Sequence, residues 1–254
     1  MLDSVSRFPL ARMLPAVLGL WLLAAGHAHA GSFDVAPISL TLSDTAKSGI
    51  ITVKNKSTEE LRFHISAMAW GQKTDGEMVL SPTKDIVFFP AMMTLGPGKS
   101  RNLRVGVTQA AGNVEKTYRV FVQELPPAIK GPDQEGTVRM LTKMGIPIFH
   151  QSGAPRGVAS ITNPTISQRK VRFDVQNKGN AHYRAQTITL IAKAGGKVVH
   201  KEEVDGWYIL AGGTRTYGIE LPEAACNGLT SIEIEMKSDL GTTKASLANA
   251  SCGG

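Results

Sequence analysis

The stretch "TYRVFVQELPP" (Thr117–Pro127) alternates with a period of two, setting Tyr118, Val120 and Val122 on one face and Arg119, Phe121 and Gln123 on the other. That is the pattern of a β-strand with one face on a core. Pro126 and Pro127 then remove two backbone donors and end the ladder. The strand therefore carries an arginine within it and stops hard.

Working outward, most segments read as short strands set off by Gly, Pro, Asn, Asp or Ser. "FDVAPISLTL" (Phe33–Leu42) opens the series and "GIITVKNKS" (Gly49–Ser57) follows. "LRFHISAMAW" (Leu61–Trp70) alternates, with Leu61, Phe63, Ile65, Ala67 and Ala69 sharing a face. "DIVFFP" (Asp85–Pro90), "SRNLRVGV" (Ser100–Val107) and "TVRMLTKMGIPIF" (Thr137–Phe149) complete seven strands with the opening stretch and Thr117–Pro127. Seven short alternating strands describe an immunoglobulin-like sandwich, whose inward rows are core. "HQSGAPRG" (His150–Gly157) breaks the period and marks a boundary. A second series begins with "KVRFDVQNKGNAHYRAQTITLIA" (Lys170–Ala192), two strands joined at Asn177-Lys178-Gly179-Asn180. "KVVHKEEV", "WYIL", "TRTYGIELP" and "LTSIEIEMKS" continue it; in the last, Ile232, Ile234 and Met236 alternate with glutamates, the sign of a sheet wet on one side. The expected fold is all-β: two tandem immunoglobulin-like β-sandwich domains, residues 31–152 and 153–254, joined by a short hinge.

Residues 1–30 read as a cleaved signal peptide. Arg7 and Arg12 precede the apolar run "MLPAVLGLWLLAA" (Met13–Ala25), and Ala28-His29-Ala30 offers small residues at both specificity positions of a signal-peptidase site. The run is too short to span a bilayer comfortably, so an exported protein with no membrane insertion is expected. The whole chain has net charge +7, with its basic residues scattered rather than blocked. No arginine-rich tract suggests nucleic acid. Cys226 and Cys252 are the only cysteines; an even pair in an exported chain predicts a disulfide, and the absence of Cys-x-x-Cys argues against a metal or redox site.

Catalytic signatures are missing. The histidines of the exported part, His64, His150, His182 and His200, lack metal-ligand spacing, and there is no G-x-S-x-G elbow or His-Glu-x-x-His. "LGPGKS" (Leu95–Ser100) lacks the first glycine of a phosphate loop and reads better as a hairpin turn. No enzyme activity, cofactor or metal is expected.

Taken together, Phe88, Phe89 and Pro90, then "LGPGKSRNLRV" (Leu95–Val105), then Glu124, Leu125, Pro126 and Pro127 make a pattern that resembles the periplasmic pilus-assembly chaperones of the chaperone–usher family. The likeness continues through "GIPIFHQSGAP" (Gly145–Pro155) and "VQNKGNAHYRA" (Val175–Ala185), which most resemble the archaic branch. The resemblance implies a chaperone that lends its seventh strand to a pilin lacking one, an instance of strand addition, and delivers it to an outer-membrane usher. An unoccupied lent strand is also an edge open to self-association.

Carried onto this chain, the lent strand is Thr137–Phe149, with Val138, Met140, Thr142, Met144 and Ile146 in the client-facing row. Methionine suits a strand that fits several grooves. The alternative for the row is the chain's own core. In the best-known branch an arginine of the first strand and a lysine of the seventh anchor the pilin's C-terminal carboxylate; Ser39 and Pro147 stand at those positions here. The cation expected in their place is Arg119, with Lys143 or Arg139 beside it. The rival reading is an exported β-sandwich that binds a small ligand or carbohydrate. It would need an aromatic platform, and neither Trp70 nor Trp207 lies in an aromatic cluster in the sequence, although Trp207-Tyr208 is a local pair.

Overall fold

A computed structural model describes residues 33–127, 140–151 and 153–253. Phe33–Gly254 form one compact unit. The expected signal peptide, the whole loop "AIKGPDQEG", and Thr137, Val138 and Arg139 lie outside the described residues. Those described are built from β-strands and one short 3-10 turn (Glu223–Cys226).

In the first half, β1 (Phe33–Ala36), β2 (Leu40–Ser43), β3 (Ser48–Asn55), β4 (Leu61–Gln72), β5 (Met78–Pro82), β6 (Ile86–Phe89), β7 (Met92–Leu95), β8 (Ser100–Val107), β9 (Lys116–Leu125) and β10 (Lys143–Gln151) form two facing sheets. One has the order β1-β3-β8-β6; the other runs β2-β10-β9-β4-β5, with β7 also on β4. The opening strand is two strands rather than one. β1 pairs antiparallel with β3, and beyond Pro37 β2 pairs parallel with β10, so the chain changes sheets where proline withholds a donor.

The alternation read in Thr117–Pro127 holds. Tyr118, Val120 and Val122 are buried in the core between the sheets with Leu61, Phe63 and Ile65 of β4. Each such side chain contributes roughly 1.5–3 kcal/mol on burial. Arg119 and Phe121 point to the outer face of the same sheet.

The second half adds β11 (Ala159–Ser167), β12 (Lys170–Asn177), β13 (Tyr183–Ala194), β14 (Lys197–Asp205), β15 (Tyr208–Ile209), β16 (Thr214–Glu220), β17 (Leu229–Ser238) and β18 (Gly241–Ala248). Sheets β11-β12-β16 and β14-β13-β17-β18, with β15 on β13, enclose a second core. Ile232, Ile234 and Met236 are fully buried, as their alternation predicts. β12 and β13 do not pair; the turn at Asn177 carries the chain from one sheet to the other. Asn177 is buried there and makes the turn self-consistent: its Nδ2 donates to the carbonyls of Ala181 (2.8 Å) and Ile209 (3.0 Å), and its Oδ1 accepts from the Gly179 and Val158 N–H groups. Cys226 and Cys252 are joined as a disulfide across a separation of 26 residues.

The two halves are held at a polar and aromatic joint. Glu115, its side chain fully buried, accepts from His182 Nδ1 (2.8 Å) and the His182 backbone N–H (3.0 Å), and from Gln151 Nε2. His182 stacks on Phe149 at 3.5 Å. The β4–β5 turn adds two clasps, Thr216 N–H to the Thr74 carbonyl (2.7 Å) and Gln72 Nε2 to the Tyr208 carbonyl (3.0 Å).

Candidate functional site

The expected lent strand begins later than its sequence pattern. β10 starts at Lys143, so Met140 and Thr142 precede it rather than belong to it. Thr142 keeps one pairing contact, its carbonyl accepting the Glu124 N–H at 2.9 Å. From Lys143 to Pro147, β10 pairs on one side with β9, while β2 joins the other side only at Ile148–Gln151. Lys143–Pro147 is therefore an edge open to strand addition among the described residues.

The row predicted for a client divides in two. Ile146 is 1% exposed in the chain's own core, and Met144 packs against that core. Met140 is 90% exposed, and Thr142 is exposed as well. The predicted row thus passes from core positions at Ile146 and Met144 to exposed positions at Thr142 and Met140.

The opposite face of the sheet carries the cations. Arg119 on β9 is the register partner of Pro147 on β10, the position where the resemblance leads one to expect a lysine. A cation thus stands beside that position, supplied from the neighbouring strand. The Arg119 side chain leans toward the Gly145 row, where Nη1 donates to the Gly145 carbonyl at 3.2 Å. Phe121 lies over Gly145, where an added Cβ would meet the ring at 2.9 Å, so glycine makes the room. Lys143 Nζ sits 4.5 Å from the centre of the Phe121 ring. Lys143 stands over the Phe121 ring and Arg119 over the Trp70 ring.

Arg119 is the most unusual charge in the structure. It is 7% exposed, lies 4.2 Å over the Trp70 ring, and burial lowers its pKa. Its Nε and Nη2 have no hydrogen-bond partner, and no carboxylate pairs with it among the described residues. Buried charges are ordinarily paired, because an uncompensated one costs several kcal/mol.

An aromatic cluster surrounds it. Trp70 and Phe149 from the first half meet Tyr208 and His182 from the second, with Trp70–Tyr208 centroids at 5.7 Å and Phe149–Tyr208 at 5.5 Å. Trp207 joins from outside at 5.6 Å from Tyr208. This corrects the expectation that neither tryptophan belongs to an aromatic cluster. Positions 70, 149, 182 and 207–208 converge only when the two sandwiches meet, and no local pattern signals that. Trp70 and Phe149 are 4% and 2% exposed, so this part of the cluster is packing rather than an open sugar platform. Among the described residues no group of His, Cys, Asp and Glu is arranged to hold a metal, and no helix is long and apolar enough to cross a membrane.

No curated protein matches the chain. Among solved structures, a chain of the chaperone–tip adhesion subunit pre-assembly complex CsuC–CsuE, from archaic chaperone–usher Csu pili of Acinetobacter baumannii, aligns with a TM-score of 0.61 at 16% identity, covering 85% of this chain and 97% of that one. The E. coli chaperone DraB aligns at 0.53 and 17%, covering 85% and 98%. A chain of the Salmonella enterica SafA pilin–SafB chaperone complex aligns at 0.54 and 14%, covering 86% and 97%. At these identities the likeness establishes the two-sandwich fold. Residues 32–158, half of the sequence, match the family model of the pili and flagellar-assembly chaperone, PapD N-terminal domain. With the sandwich pair, the open edge of β10 and the strand order all in place, the chain belongs to the family of pilus-assembly chaperones.

Proposed function

We propose that this protein is a periplasmic chaperone that binds pilin subunits by donor-strand complementation and hands them to an outer-membrane usher. In this reading residues 1–30 are a cleaved signal peptide, residues 31–152 the chaperone domain and residues 153–254 a second sandwich. The subunit pairs with the free edge of Lys143–Pro147, and the row continuing outward from Met144 through Thr142, Met140 and Val138 fills its open groove. Arg119 receives the subunit's C-terminal carboxylate, with Lys143 or Arg139 as a further cation. Solved neighbours that hold a chaperone with an adhesion subunit or a pilin favour such a partner.

The observation that carries the reading is the buried, incompletely partnered guanidinium of Arg119, one strand from an open edge. A client carboxylate would supply charge-assisted hydrogen bonds to the guanidinium, whose Nε and Nη2 are covered in the free protein and would have to be uncovered by a side-chain shift on binding. The test is periplasmic co-expression with a pilin subunit whose C-terminus is either native or extended by a short tag. A one-to-one complex with the native end, lost on extension and lost with Arg119→Ala, is expected. A complex indifferent to both changes would remove Arg119 from the site.

A further inference from the structure

Where the β4–β5 turn meets the second sandwich, a cavity of about 420 Å³ opens between Thr74 and Asp75 of the turn and Lys170, Arg172, Thr216 and Gly218 of β12 and β16. Lys170 and Arg172 lie two residues apart on β12 and share its outer face, because Val171 and Phe173 fill the core. Arg172 is in register with Gly218 on β16, and Lys170 with Glu220. Gly218 has no side chain, so the Lys170 stem lies across it: an added Cβ would meet Lys170 Cε at 2.9 Å and Nζ at 3.8 Å. The ammonium is thereby drawn from its own register position to the one opposite Arg172. The neighbouring acids are engaged elsewhere. Glu220 pairs with Arg169 at 2.9 Å, and Asp174 accepts from Thr216 Oγ1 (2.7 Å) and Asn163 Nδ2 (3.0 Å). Asp75 Oδ1 accepts the Glu77 N–H at 2.8 Å, and Glu77 pairs with Lys73. Arg215 stands against the same turn, where an added Cβ at Gly76 would meet its Nε at 2.6 Å. Among the described residues no ion pair joins Lys170 or Arg172 to an acid, so the cavity carries two exposed, unneutralised cations.

We infer that this cavity binds a phosphate monoester, with Lys170 and Arg172 holding its oxygens and the Thr74 hydroxyl at the rim. Two like charges drawn together repel until an anion joins them. A phosphate monoester carries a charge of about −1.5 to −2 at pH 7 and three acceptor oxygens, which matches two cations better than a single carboxylate does. Arg172 offers a planar fork and Lys170 a mobile point charge, so together they can take oxygens on different sides of one phosphorus. The cavity is larger than a bare phosphate fills and leaves room for the alcohol part of the ester. The same chemistry is offered by a soluble phosphate ester and by the headgroup of a phosphatidic acid. Either would sit beside the clasp from the Thr216 N–H to the Thr74 carbonyl and touch both halves of the molecule.

The test uses the intact mature protein at fixed ionic strength. Glycerol 3-phosphate and acetate are titrated by calorimetry, and sedimentation measures recruitment to phosphatidylcholine vesicles with and without phosphatidic acid. Each is repeated with Lys170→Gln plus Arg172→Gln, and with Lys99→Gln plus Lys197→Gln, an exposed pair elsewhere that removes the same charge. The site predicts that the phosphate probe binds the parent and the Lys99/Lys197 variant alike, and that the Lys170/Arg172 variant binds about tenfold more weakly. Binding of glycerol 3-phosphate alone supports the site with a soluble ester as its ligand. Recruitment to phosphatidic acid vesicles alone supports it with a lipid headgroup, and both together support the shared chemistry. No binding in either arm, acetate that binds as tightly as the ester, or an equal loss in the two double variants would overturn it.

Discussion

Arg119 and His150 are buried titratable groups that lack hydrogen-bond partners for side-chain nitrogens, and they predict opposite behaviour. Arg119→Met replaces an uncompensated guanidinium by an apolar chain of similar length over Trp70. Thermal unfolding should leave the variant as stable as the parent or more so, while client affinity falls by about 2–5 kcal/mol. A variant that loses stability and client binding together would mark Arg119 as part of the scaffold. His150 is fully buried, with Asp44 3.7 Å away, and desolvation lowers its pKa below the ordinary 6.5. The unfolded chain therefore takes up a proton at this residue at a pH where the folded chain does not. The contribution is fully present above about 6.5 and is lost as pH falls below it. Denaturant midpoints should decline from pH 7 to pH 5 for the parent and decline less for His150→Gln, compared over the same range.

At the scale of elements, the proposed function divides β10 and the residues before it between the chain's own core and a client. Ile146→Ala opens the chain's own core and should cost about 2–5 kcal/mol in chemical denaturation. Met140→Asp, at a position 90% exposed, should leave stability unchanged and weaken the client complex. The opposite pattern would place the lent row elsewhere. Cys226→Ser with Cys252→Ser should lower stability by about 3 kcal/mol, since the loop the disulfide closes is 26 residues long. Strands with one buried row were legible from sequence: β4, β8, β9, β12 and β17 follow their alternation closely. Others had no such signal. β5 exposes all five of its residues, Met78, Val79 and Leu80 included, so its apolar run obeys no inward period. β18 is rich in Gly, Thr and Ala, with its large apolar residue only at Leu247. The alternation read through Thr142 extends past the strand, since β10 begins at Lys143 and Met140 and Thr142 stand exposed before it.

Among the described residues, the open edge of β10 and the buried Arg119, which no carboxylate pairs, lie on one sheet, and the second sandwich meets the end of that sheet. Arg119 was readable as an arginine inside a strand; its burial was not, because Trp70 and Tyr208 arrive from segments far apart in the sequence. The joint was equally hidden, since Glu115, Gln151 and His182 have meaning only once the two sandwiches touch. The central claim is that a subunit pairs with the free edge of β10. Amide hydrogen exchange of the protein, alone and in complex with a pilin subunit, tests it most directly. Protection is expected to appear on binding across Met140–Ile146 while the edges β5 and β18 are unchanged. Protection gained at β5 or β18, with none at Met140–Ile146, would contradict the claim.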